Sequence, residues 1–224
     1  MKKYFNIVFY AIVGIGFSAN AYADAQLDFF RAARADNASG VRSLLEKGVN
    51  PDARDEHGQT ALLIAIGEPS PKVVEALVAS PKVNIEARNS KDESPLMMAA
   101  LKGQQDLVAK LIARDADINK TGWTPLHYAA TNGHISVMKV LLDKYAFIDA
   151  QSPNGTTPLM MAAMYGSPEA VKLLVDEGAD QAMKNQQGMT ALDFAKRANR
   201  GDAVELLSRS AAATAPKRPP NGKW

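Results

Sequence analysis

Apolar residues in this chain fall into short blocks that return on a fixed period. Thr124-Pro125-Leu126-His127-Tyr128-Ala129-Ala130 is preceded by Ser94-Pro95-Leu96-Met97-Met98-Ala99-Ala100 and followed by Thr157-Pro158-Leu159-Met160-Met161-Ala162-Ala163. Weaker copies are Thr60-Ala61-Leu62-Leu63-Ile64-Ala65 and Thr190-Ala191-Leu192-Asp193-Phe194-Ala195. The copies start at 60, 94, 124, 157 and 190, so the steps are 34, 30, 33 and 33 residues. A second apolar block follows each copy at helical spacing, such as Ile135, Val137, Met138, Val140, Leu141 and Leu142, or Val171, Leu173, Leu174 and Val175. The pattern predicts stacked helix pairs, each burying its apolar face against its neighbours.

Within one copy each residue has a physical task. Thr124 can cap the first helix by accepting from an otherwise orphaned N–H. Pro125 suits the first helical position, where its missing N–H costs nothing. Leu126 faces the core, and the small pair Ala129-Ala130 lets helices approach closely. Asn132-Gly133 stops this helix, and Gly178 stops the second helix of the next copy. Turn-prone pairs, His57-Gly58, Asn154-Gly155 and Gln187-Gly188, separate the copies.

A T-P-L-H-x-A phrase at a period near 33 resembles the ankyrin-repeat family. The resemblance implies an all-α solenoid of helix-turn-helix units joined by short finger hairpins. It also implies binding of protein partners on the concave face made by fingers and first helices. In these terms residues 24–57 form a first repeat that serves as an N-terminal cap, with Phe29 and Ala32-Ala33 in the core and Arg31, Arg34 and Arg42 toward solvent. Repeats follow at 58–91, 92–121, 122–154 and 155–187, and 188–209 forms the C-terminal cap. Repeat two replaces its turn by Pro69-Ser70-Pro71, and Pro81-Lys82-Val83 carries an extra residue, read as a tolerated loop insertion.

The two ends read differently. Residues 1–23 combine Lys2-Lys3, an apolar run from Ile7 to Phe17 and Ala21-Tyr22-Ala23, the pattern of a secretory signal cleaved after Ala23. An uncleaved membrane anchor is the other reading, weakened by the short, glycine-interrupted run. Residues 210–224, with Pro216, Pro219, Pro220, Lys217, Arg218 and Lys223, lack apolar periodicity and are expected to form a disordered basic tail. Without Lys2 and Lys3 the basic residues fall from 26 to 24, equal to the 24 acidic ones. A neutral mature chain gives no electrostatic reason to bind nucleic acid or an anionic membrane. Export without any cysteine fits a bacterial periplasm, with no membrane span after signal cleavage and the protein a monomer.

Catalytic chemistry finds little support. The chain has three histidines and no cysteine. His127 and His134 stand where the resemblance implies structural hydrogen bonding, and His57 lies in a finger two repeats earlier. Metalloprotease, nucleophile-elbow and phosphate-loop motifs are missing. The Met97-Met98 and Met160-Met161 pairs have thioethers that suit Cu(I), but they occupy helical core positions. No enzyme activity, metal or cofactor is expected.

Carried onto this chain, the family's exposed variable positions give Leu101, Lys102, Trp123, Thr131, Asn132, Met164, Tyr165 and Met189 as the candidate partner-binding set. Apolar and aromatic side chains at surface positions are what binding hot spots are made of. Trp123, Leu101 and Met164 have a second reading, half-buried packing between fingers and helices. The finger before Trp123 is also short: five steps separate Asn119 from Thr124, where eight separate Asp149 from Thr157. That is either a harmless deletion or a notch with Trp123 at its edge. The sequence therefore predicts a non-catalytic periplasmic module that binds an unidentified protein and shelters or scaffolds an envelope enzyme. Two alternatives are a tether whose basic tail meets an anionic envelope polymer, and a weak metallo- or hydrolytic enzyme.

Overall fold

The computed structural model describes residues 22–214. Residues 1–21, which hold most of the expected signal, and 215–224 lie outside that range. Among the described residues every regular element is helical, as the repeat pattern predicts. The chain divides into two compact units, one ending at Pro95 and the other starting at Leu96.

The first unit holds α1 (22–34), α2 (Ala38–Glu46), α3 (Ala61–Gly67) and α4 (Pro71–Ala79). Asp24, the expected mature start, lies in the first turn of α1. Phe29, Ala33, Val41, Val73 and Leu77 are fully buried. Pro71 opens α4 with its φ preset. Asp36 ties the repeats together by accepting from the Val73 N–H at 2.9 Å. Arg34 faces solvent as expected, its side chain 44% exposed, and also pairs at 2.7 Å with Asp55, whose side chain is only 7% exposed.

The second unit takes α5 (Pro95–Leu101) from the boundary, then α6 (Gln105–Ile112), α7 (Pro125–Thr131), α8 (Ile135–Asp143), α9 (Pro158–Tyr165), α10 (Pro168–Asp176), α11 (Ala191–Arg197) and α12 (Gly201–Thr214). The first helices α7, α9 and α11 pack side by side in one layer. The second helices α6, α8, α10 and α12 form the other. Leu126, Leu159 and the pairs Ala129-Ala130 and Ala162-Ala163 are fully buried between them. Within the first layer, α7 and the end of α9 approach closely at Gly166, where an added Cβ would stand 2.4 Å from the Ala130 carbonyl oxygen.

The fingers are short hairpins without strands, as the all-α reading expects: four are turns closed by bonds such as Ser152 N–H to Thr156 O at 2.9 Å and Asn185 N–H to Met189 O at 3.0 Å. Turns this tight leave too few residues for a ladder. One expectation changes: the C-terminal helix runs on to Thr214, into the stretch expected as tail from residue 210. Ala211-Ala212-Ala213 explains the extension, since alanine is the strongest helix former.

Candidate protein-binding groove

The phrase at the centre of the chain folds around His127. This imidazole is fully buried, its Nδ1 accepting from the Thr124 N–H at 3.1 Å and its Nε2 lying 2.9 Å from the Thr156 carbonyl oxygen. Because Nδ1 accepts a backbone proton, Nε2 carries the ring hydrogen and donates it to Thr156. Burial lowers the pKa of His127 from 6.5 to about 4, so the ring is neutral at pH 7. One side chain thus secures the start of α7 and links it to the finger that leads into α9. At the equivalent place in the next repeat Met160 uses its Sδ, 3.4 Å from the Thr157 N–H.

Trp123, at the end of the short finger, stands edge-on to that imidazole, with centroids 5.2 Å apart and planes at 74°. Gly122 beside it has φ +92 and would place a Cβ 3.7 Å from Pro153 in the following finger. An open groove of about 230 Å³ lies at this point, lined by Leu101, Trp123, His127, Tyr128, Thr131 and Met161. None of these side chains is charged at pH 7. The Thr131 hydroxyl is already engaged, donating to the His127 carbonyl oxygen at 2.8 Å. The groove is therefore an uncharged, mainly apolar and aromatic recess.

The structure distributes the sequence-selected set unevenly. Leu101, Trp123 and Thr131 share the groove. Asn132 borders it, its Nδ2 donating to the Leu101 carbonyl oxygen at 2.8 Å, and Lys102 is exposed at the same end of α5. Met164 and Tyr165 lie at the end of α9 instead, Tyr165 57% exposed. Met189 belongs to the next finger, its Sδ 3.9 Å from an Arg197 guanidinium nitrogen. Tyr128 and Met161 line the groove but fall outside the family's variable positions. Their signal was their place in the repeat: both follow the Thr by four residues, at the one unspecified position of the phrase.

His134 also has a structural place, its Nε2 2.9 Å from the Leu101 carbonyl oxygen. His57 lies in the first unit, 3.6 Å from Glu56. Among the described residues, no group of three or more His, Asp or Glu side chains is placed to hold a metal ion. None of the described helices is long and apolar enough to cross a membrane.

A model of ankyrin repeats in three copies matches residues 69–152 and 146–216, and the chain belongs to the ankyrin-repeat family. Ankyrin repeats are protein–protein interaction modules, and that is the class of protein to which this fold belongs. Among curated proteins, it is 36% identical over 122 residues to the B-cell lymphoma 3 protein homolog of Mus musculus, covering 51% of this chain and 27% of that protein. It is 38% identical over 86 residues to neurogenic locus notch homolog protein 4 of Homo sapiens, covering 38% of this chain and 4% of that one. The chain thus spans about a quarter or less of these curated relatives.

Solved structures match at fuller length. One is a chain of the complex of the Bd0816 predatory endopeptidase from Bdellovibrio bacteriovorus with immunity protein Bd3460, with a TM-score of 0.70 and 30% identity over 81% of this chain and 97% of that one. Another is the ankyrin repeat protein EF0377, with a TM-score of 0.71 and 29% identity over 81% and 96% of the two chains.

Proposed function

We propose that this chain is a non-catalytic, exported binding module that seats an apolar side chain of a peptidase-class partner in the Trp123 groove and holds that enzyme inactive. The observation that carries the reading is the groove itself. At about 230 Å³ it is smaller than the roughly 300–1,000 Å³ of small-molecule sites. It has the dimensions of a single side-chain anchor. Its lining joins an indole, a phenol and a thioether, the residue types that concentrate binding energy at the centre of protein interfaces.

The peptidase class is supported by the likeness to a chain of an endopeptidase–immunity protein complex over 97% of that chain's length. Export to the periplasm is supported by the Lys2-Lys3, apolar and Ala21-Tyr22-Ala23 pattern. Such a module would protect the compartment that stores the enzyme. The test is capture of proteins from periplasmic extract by the tagged chain, with peptidase activity measured before and after adding it. The wild type should retain a peptidase and suppress its activity, and Trp123→Ala with Tyr128→Ala should do neither. Equal capture and inhibition by wild type and variant would place the contact elsewhere. Capture of a partner with no peptidase activity would remove the inhibitor role.

A further inference from the structure

After α8 the chain turns through Tyr145-Ala146-Phe147, and both aromatic rings face solvent, Tyr145 84% and Phe147 65% exposed. Tyr145 has φ +63, left-handed backbone that penalises a bulky side chain. Glycines, Gly48 and Gly178, fill this position in two other repeats. Where Phe147 stands, other repeats have Asn50, Asp117 and Asp180. Those side chains accept the N–H two residues on, at 3.0, 2.9 and 2.8 Å respectively. A phenyl ring cannot accept that bond. Repeat four therefore forgoes two stabilising choices and gains no core contact, since the rings are exposed. Sacrifice of stability at an exposed aromatic pair is the mark of a contact surface.

The pair is held in place. Asn119 Nδ2 donates to the Tyr145 carbonyl oxygen at 2.8 Å, and the Phe147 N–H donates to Asn119 Oδ1 at 2.7 Å. A similar bond, Asp180 N–H to Asp149 Oδ1 at 3.0 Å, sets the following loop alongside. These three loops carry the carboxylates Asp115, Asp117, Asp149, Glu177 and Asp180 against Arg114, Lys120, Lys144 and Lys184. Burial pushes the Asp149 carboxyl above its usual range, and the Asp180 charge pushes the same way. The aromatic pair thus sits on loops that carry several carboxylates, with Asp149 two residues beyond Phe147 and Asp180 bonded to it.

We infer that Tyr145 and Phe147 form a second contact surface, separate from the Trp123 groove, that takes a lysine- or arginine-bearing segment of a protein partner. The cationic head faces the carboxylates while its stem or guanidinium plane lies on the rings. Charge complementarity selects this occupant over an anionic lipid surface, which the same carboxylates repel.

The test uses the full chain and a labelled peptide of alternating arginine and leucine, with a glutamate–leucine peptide as control, read by fluorescence anisotropy. Tyr145→Gly with Phe147→Asn restores the pattern of other repeats without changing charge. It should raise the melting temperature while weakening arginine-peptide binding tenfold or more. Asp180→Asn, which keeps the turn acceptor, should weaken binding severalfold and flatten its salt dependence. Undiminished binding by the double variant would overturn the proposal, as would equal binding of the glutamate peptide. Capture of the wild type, but not the double variant, by phosphatidylglycerol vesicles would overturn it in favour of a lipid. Peptide binding that appears only after Lys217→Ala, Arg218→Ala and Lys223→Ala would show the chain's own basic segment in place of a separate partner.

Discussion

The indole of Trp123 meets the imidazole of His127 edge-to-face, 5.2 Å between centroids, so a groove side chain rests on the residue that joins two repeats. Trp123 is half-buried at the end of a finger, while His127 lies in the core. The two should therefore separate binding from stability. Trp123→Ala is expected to unfold within about 1–2 kcal/mol of the wild type while losing partner capture. Denaturant melts beside capture assays check this, and a variant that fails to fold would make Trp123 a core residue.

His127 predicts an acid-sensitive fold. Its native pKa of about 4 lies below the unfolded value of 6.5, so between these values the unfolded chain binds more protons. The stability contributed by the neutral ring is complete above pH 6.5 and is lost as pH falls toward 4, at most about 3 kcal/mol. Protonation would also break the Thr124 N–H contact, because an imidazolium has no acceptor. His127→Met, copying Met160, should remove this dependence. Urea midpoints from pH 7.5 to 4.5 would show it, and parallel curves for both proteins would contradict it.

Leu159 is fully buried between layers. Leu159→Ala should cost about 2–5 kcal/mol. The same change at Leu206, which is only half-buried in the last repeat, should cost less. Chemical denaturation of the pair measures the difference, and equal losses would argue against a core made by neighbour contacts.

Gly166 answers to backbone proximity rather than to left-handed geometry, since its φ is −76. A methyl there meets the Ala130 oxygen at 2.4 Å and Ala162 Cα at 2.9 Å. Gly166→Ala should lower the melting temperature clearly, whereas Gly67→Ala, with nothing within 4 Å of its added Cβ, should not.

The helices were legible because leucine, alanine and proline recur at fixed offsets, and burial of Leu126 and Leu159 follows from that period. The groove was legible only in part. Trp123 stood out through its short finger, and Leu101 and Thr131 through their variable positions. Tyr128 and Met161 did not, because their unspecified place in the phrase leaves the residue type open without telling whether a neighbouring finger will cover it. Tyr145 and Phe147 went unread for a different reason. An aromatic residue after an apolar helix looks like core until the left-handed turn at Tyr145 directs it outward. The C-terminal helix outran its expected end because the proline-rich stretch masked the helix-forming alanines before it.

The most direct measurement is peptidase activity of the captured partner, titrated with wild-type chain and with Trp123→Ala, Tyr128→Ala. The account predicts stoichiometric loss of activity with the wild type and at least a tenfold weaker effect with the variant. Inhibition that is indifferent to these two side chains, or full activity in the presence of excess wild-type chain, would contradict it.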